Sequence, residues 1–194
     1  YYFNAYAQAK KLGKADNLTI CVPSGNFGNI TAGLFAQRMG LPIMNFIAAN
    51  NANDIFYNYL LSGIYSPKAS IQTIANAMDV GDPSNFARIL DLYKSSHAEI
   101  CNHISGATYS DDEIAATMKK CYEQTGYVLD PHGACGYQAL KDNLKEGETG
   151  VFLETAQGEG GCHTLYRYRD SYSPCRLYEG QEAIVGNGCR LLCV

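Results

Sequence analysis

Residues Ser24 to Asn29 read Ser-Gly-Asn-Phe-Gly-Asn, two glycines set among three side chains that carry hydrogen-bond donors. Glycines let a backbone approach a ligand closely or adopt a positive φ, and Ser24, Asn26 and Asn29 add polar groups to the same short stretch. Where such a turn joins a strand to a helix, the exposed N–H groups of the helix start carry about half a positive charge, and an anion is the natural guest. The stretch is not a Walker loop, because no Gly-Lys-Ser/Thr follows it, and it lacks the Gly-x-Gly-x-x-Gly dinucleotide spacing. Spacing alone leaves two readings open, a phosphate cradle and a strand-to-helix turn that binds nothing.

The flanking segments supply the elements that would hold the turn. Asn17 to Ser24 (NLTICVPS) is almost wholly apolar and rich in β-formers, as a strand buried on both faces should be. After the turn, Ile30, Leu34 and Phe35 recur at helical spacing through Arg38, and Gly40 stands where a helix would stop. Leu41 to Asn50 (LPIMNFIAAN) reads as a second strand, which makes Asn17 to Asn50 one β-α-β unit with a right-handed crossover.

Further along, a short helix capped by Asn53 or Asp54 is expected, then a polar loop around Gly81-Asp82-Pro83 leading into a helix capped by Ser84. Ser110 to Gly126 opens Ser-Asp-Asp-Glu, which predicts a capping box and an acidic first turn. Another helix is expected from about Gly133 to Leu144, and Thr149 to Ala156 (TGVFLETA) reads as a further strand. Strands alternating with helices predict an α/β sheet with helices on its faces.

Composition excludes several functions. The chain has 194 residues, 46% of them hydrophobic and 18% charged, enough to build a packed core. A net charge of -4 and the lack of any Lys/Arg cluster argue against a nucleic-acid surface. No 18-residue apolar run and no signal-peptide pattern is present, so neither a membrane span nor a secretory route is expected. Cys21, Cys101, Cys121 and Cys135 lie far apart with no Cys-x-x-Cys pair, and read as buried or half-buried thiols of a cytoplasmic protein. His97 and His103 lie in a polar helical stretch without partners at metal-ligand spacing, so no metal site is assigned. Asp79, Asp82 and Asp111 to Glu113 read as loop and cap charges, and His132 as a capping or packed histidine before it reads as a substrate contact.

Five stretches resemble the threonine synthase family, pyridoxal-phosphate enzymes of fold type II: VPSGNFGNITAGLFAQRMGLP, FIAANNANDIF, NAMDVGDPSNFARI, YVLDPHGACGYQAL and GVFLETA. The resemblance runs from the first residues through Ala156. It implies a Rossmann-like parallel sheet with helices on both faces, part of the tryptophan-synthase-β-like arrangement, with residues 1–156 a partial catalytic region. It also implies pyridoxal 5'-phosphate as cofactor, its phosphate held by Gly25, Asn26, Phe27 and Asn29. Thr155, which by itself would be read as a strand-end residue bonded to backbone, becomes by this resemblance the hydroxyl facing the pyridine nitrogen.

The family's reaction converts O-phospho-L-homoserine and water into L-threonine and phosphate, which makes that phosphoamino acid the expected partner. Its Schiff-base lysine lies in the N-terminal half. None of Lys10, Lys11, Lys14, Lys68, Lys94, Lys119, Lys120, Lys141 or Lys145 stands in a matching motif. The chain, which begins inside an expected helix and without Met, is therefore read as a fragment that does not turn over substrate and contains no catalytic residue of its own. A related phospho-amino-acid lyase and a non-catalytic phosphate-binding homologue are the alternative functions.

The resemblance stops after Ala156. Residues 157–194 hold Cys162, Cys175, Cys189 and Cys193 among frequent Tyr and Arg, where the family has His-Pro-Ala-Lys and an Ile-Pro-rich stretch. With codons chosen for Gln157 onward and read one nucleotide later, GEGGC can give Ala-Lys-Ala-Val-Ala, RDSYSP can give Glu-Ile-Pro-Ile-Pro-Arg, and EGQEAIV can give Arg-Gly-Lys-Lys-Gln-Ser-Leu. The tail is read as an out-of-frame translation and is expected to be irregular; a lineage-specific C-terminus is the alternative.

Overall fold

A computed structural model describes residues 1–154 and the backbone of two later strands, 183–185 and 189–193. In chain order the elements are α1 (Tyr2–Lys11), β1 (Leu18–Pro23), α2 (Gly28–Arg38), β2 (Asn45–Asn50), α3 (Ile55–Ser62), a 3₁₀ turn (Asn76–Met78), α4 (Phe86–Leu92), α5 (His97–His103), β3 (Ile104–Thr108), α6 (Asp111–Thr125), α7 (Pro131–Asn143), β4 (Thr149–Leu153), β5 (Ala183–Val185) and β6 (Cys189–Cys193).

The strands form one sheet in the order β3-β2-β1-β4-β6-β5. The first four are mutually parallel, with Cys21 opposite both Ile47 and Phe152 and Ala48 opposite Gly106. β6 runs antiparallel to β4, and β5 antiparallel to β6. β5 and β6 lie inside the segment expected to be irregular; β6 pairs along the otherwise open edge of β4, and the Ala-Ile-Val run of β5 pairs with β6. The remainder of that segment, and Thr155 with it, lies outside the described residues.

Side chains alternate between the two faces of the parallel strands and build two cores. Leu18, Ile20 and Val22 of β1, Phe46 and Ala48 of β2, Ile104 of β3, and Val151 and Leu153 of β4 join the helices α1 to α5. Cys21, Ile47, Ala49, Ala107 and Phe152 face the other way, onto Ile114 and Cys121 of α6 and Ala134, Cys135, Tyr137, Ala139 and Leu140 of α7. The expected α/β sheet with helices on both faces is what these residues form.

Local signals account for most element ends. Ser110 and Glu113 form the expected capping box, and Gly126 ends α6 at φ 69°. α7 starts at Pro131, two residues ahead of expectation, because the Asp130 carboxylate accepts from the amides of His132 and Gly133 (2.7 and 3.0 Å). Two expected caps differ. Asp54 precedes α3 without a side-chain bond, and Asn85, not Ser84, precedes α4. β2 begins at Asn45 instead of Leu41, and β3 is a strand that the sequence reading left unassigned.

Of the four described cysteines, Cys21, Cys121 and Cys135 are buried while Cys101 is exposed, which corrects the expectation for that residue. Burial pushes the Cys135 thiol up to about 12 and that of Cys21 well above its ordinary value. Alkylation of the native protein at neutral pH followed by peptide mapping is therefore expected to label Cys101 ahead of Cys21, Cys121 and Cys135.

Candidate functional site

The turn from Ser24 to Asn29 leaves the carboxyl end of β1 and enters α2. Its floor is fixed by backbone: the Ser24 N–H donates to Ala49 O (2.8 Å), and Asn50 Nδ2 donates to Ser24 O (2.8 Å). The Ser24 hydroxyl turns inward to Val22 O (2.8 Å) and so is not the ligand donor that the sequence reading assigned to it. The amide orientations of Asn26 and Asn29 are also set. Asn26 Oδ1 accepts from the N–H and hydroxyl of Ser84 (2.7 and 3.0 Å), and Asn29 Oδ1 accepts from the Tyr2 hydroxyl (3.0 Å), which also bonds Asn29 O (2.8 Å).

The positive φ belongs to Phe27, at 62°, and to neither glycine of the turn. A left-handed conformation costs a bulky residue roughly 1–2 kcal/mol, and here the buried Phe27 ring packs 4.5 Å from Phe56. Phe27 is the N-cap of α2 and has no side-chain oxygen to offer; no acidic residue lies in the first turn. The first helical bond inside α2 is from Thr31 N–H to Phe27 O (3.1 Å), reinforced by the Thr31 hydroxyl on the same oxygen (2.7 Å). The amides ahead of Thr31 therefore lie at the open end of the helix, and a left-handed residue followed by helical ones is the backbone pattern that can turn successive amides toward one anion.

Gly25 is required for a different reason than a positive φ. A Cβ there would stand 2.7 Å from Met78 Cα and 3.0 Å from Ala77 O. The 3₁₀ turn thus lies directly against the cradle, and the residues after it grip the cradle's other side: Asn85 Nδ2 donates to Asn26 O (2.8 Å), and the Arg88 guanidinium bonds Asn85 Oδ1.

The loop that carries these contacts is pinned by a polar cluster. The Asp79 carboxylate accepts from the Thr73 N–H (3.0 Å), the Thr73 hydroxyl (2.7 Å), Asn51 Nδ2 (2.8 Å) and Asn53 Nδ2 (3.2 Å). Asn53 also bonds both ways with the backbone of Ile71 (2.7 and 2.9 Å). Sequence reasoning assigned none of Asn51, Thr73, Ala77, Ser84, Asn85 or Arg88 to the site. All but Thr73 lie in the quoted family stretches, and that was their only signal, since bonds such as Ser84 to Asn26 join residues 58 positions apart.

α7 reaches the same edge of the sheet. Its Gly136 lies under Pro23, and its Gly133 under Glu154, just past the end of β4. His132 is buried, bonded to Asp130 and to the Ala77 amide, so it is a packed histidine. Every lysine of the chain is exposed. Asp82 accepts from the Tyr65 hydroxyl (2.7 Å) and Asp111 from the Ile74 amide (3.2 Å), the loop roles expected of them. Among the described residues, no group of three or more His, Cys, Asp or Glu is placed to hold a metal, and no helix is long and apolar enough to cross a membrane.

Comparison with known proteins gives this geometry a context. A family model described as pyridoxal-phosphate dependent enzyme matches residues 3–155. Threonine synthase of Haemophilus influenzae is 49% identical over 156 residues, 80% of this chain and 36% of that protein. Threonine synthase of Serratia marcescens is 41% identical over 186 residues, 96% of this chain and 39% of that protein. The crystal structure of pyridoxal-phosphate-bound threonine synthase from Brucella melitensis superposes with a TM-score of 0.74 at 33% identity, covering 80% of this chain and 39% of that one. The chain thus spans under two-fifths of the length of these relatives.

Proposed function

The chain belongs to the pyridoxal-phosphate dependent enzymes, and from that premise we propose that its turn at Gly25, Asn26, Phe27 and Asn29 holds the phosphate of pyridoxal 5'-phosphate. Thr155 faces the pyridine nitrogen in this reading, and the enzyme it serves converts O-phospho-L-homoserine and water into L-threonine and phosphate. The observation that carries the proposal is the start of α2: outward amides with no acidic residue in the first turn, and Gly25 pressed against the backbone of Met78. The residues present fit an anionic group, because backbone donors and the positive end of a helix dipole meet there with no acidic residue in the first turn.

When bound, the cofactor supplies a conjugated ring that takes up electron density from carbon beside the substrate amine. The chain's own residues do the holding. Outward amides of the α2 start would bind the phosphate group, the α2 dipole would favour its negative charge, and the buried Phe27 ring anchors the turn against Phe56. A neutral Thr155 hydroxyl facing the ring nitrogen, in place of a carboxylate, would disfavour a fully protonated ring. The Schiff-base lysine is proposed to lie outside these residues, in keeping with the exposure of every lysine here.

Protein expressed from the complete coding sequence, supplied with pyridoxal 5'-phosphate and O-phospho-L-homoserine, is expected to release inorganic phosphate and L-threonine in equal amounts. A different amino-acid product would move the assignment to a related lyase, and cofactor binding without turnover to a non-catalytic homologue. The out-of-frame reading of residues 157–194 is a separate proposal, and independent DNA reads that stay in the present frame across codon 157 would remove it.

A further inference from the structure

We propose that His132 is a positioning residue for the phosphate cradle, acting on Gly25 through the backbone of Ala77. The inference rests on the cradle reading above. His132 sits in the first turn of α7, buried, with Nε2 3.1 Å from the Ala77 amide and Nδ1 3.0 Å from Asp130 Oδ1. A backbone amide can only donate, so Nε2 carries the lone pair and Nδ1 carries the proton, which it gives to the carboxylate. Asp130 is itself held by two backbone amides, those of His132 and Gly133. Tautomer and ring orientation are therefore both set from the helix cap.

The far side of Ala77 faces the turn. The Ala77 carbonyl and Met78 Cα stand 3.0 and 2.7 Å from the point that a Gly25 Cβ would occupy. One residue's backbone thus separates the imidazole from the cradle. The Asp79 cluster pins both ends of the 3₁₀ turn, with Thr73 before it bonded to Asp79 after it, and ties Asp79 to Asn51 and Asn53. Within the turn the backbone bonds run from Met78 to Ala75 and from Asp79 to Asn76, and neither uses the Ala77 amide. His132 is the group that holds that amide, and with it the position of the wall against Gly25. A histidine that merely filled space in α7 would need no acceptor at this point.

Side-chain length separates the two roles. Glutamine at 132 places Oε1 where Nε2 stands and can accept from Ala77, whereas asparagine is one methylene too short. The full chain is titrated calorimetrically with pyridoxal 5'-phosphate and with inorganic phosphate, as wild type and as His132→Ala, His132→Asn and His132→Gln. Losing the bond is expected to weaken both ligands by about tenfold in the alanine and asparagine variants, with glutamine restoring affinity to within about twofold. Amide hydrogen exchange at Ala77 should quicken in the first two and recover in the third, while α6 stays protected. If the alanine variant fails to fold, the asparagine and glutamine pair decides. Equal affinity and equal Ala77 exchange in all variants would overturn this inference alone. A folded wild type that binds neither ligand would overturn the cradle reading, and this inference with it.

Discussion

Gly25→Ala is expected to weaken binding of pyridoxal 5'-phosphate and of inorganic phosphate by about a hundredfold, because an error of about 1 Å in a positioning backbone costs on that order. The added methyl would meet Met78 Cα at 2.7 Å and Ala77 O at 3.0 Å. Both are backbone atoms, held by Asp79 and His132, so neither gives way as the tip of a side chain would. The turn has to move instead, and its amides then leave hydrogen-bonding range of the anion. Overpacking of this kind also costs about 1–3 kcal/mol of stability. Gly28→Ala provides the contrast for stability: its Cβ would approach nothing nearer than Asn85 Nδ2 at 3.4 Å, so a change within about 0.5 kcal/mol is expected. Calorimetric titration and urea unfolding measure both quantities. Phosphate affinity in Gly25→Ala equal to wild type would show that the turn does not hold the anion.

Asp79→Ala is expected to destabilise the protein by about 2–4 kcal/mol, read from urea unfolding. The carboxylate accepts four bonds, two from Thr73 and one each from the side chains of Asn51 and Asn53, and the two asparagines are buried. Deleting it strands the Thr73 N–H and hydroxyl, the costly half of the hydrogen-bond asymmetry, and removes the charged acceptor that joins Asn51 and Asn53, although Asn51 Nδ2 keeps Thr73 Oγ1 and Ala75 O and Asn53 Nδ2 keeps Asn51 Oδ1 and Ile71 O. Asp79→Asn should cost less, about 1–3 kcal/mol, since one oxygen remains while an NH₂ group meets a donor. A loss below about 1 kcal/mol in Asp79→Ala would mean that the loop is held by something other than this cluster.

The parts of this fold that were legible in the sequence share one property: their causes are local. The apolar run of β1, the helical spacing after Asn29 and the Ser110 to Glu113 capping box each act within a few residues, and each stands where expected. Asp130 was missed as a cap because Pro131 reads as a break, whereas proline fits the first turn of a helix once the preceding carboxylate takes its free amides. β3 was missed because Ile-Ser-Gly-Ala-Thr has little β-propensity of its own; it is a strand because β2 offers it a parallel edge.

The candidate site divides in the same way. Gly25 to Asn29 announced themselves by type and order, yet the positive φ fell on Phe27, where the buried ring compensates for strain that a glycine would not carry. Ser84 looked like a helix cap but donates across the fold to Asn26, a choice that depends on where the loop is pinned by Asp79. Thr155 lies outside the described residues, so its place opposite the ring stays a proposal.

Backbone amide shifts of the ¹⁵N-labelled chain during titration with pyridoxal 5'-phosphate test the central claim most directly. The account predicts that the largest shifts cluster from Gly25 to Ile30 at the start of α2, and that Gly25→Ala erases them. Shifts concentrated anywhere else, or none in that turn at saturation, would contradict it.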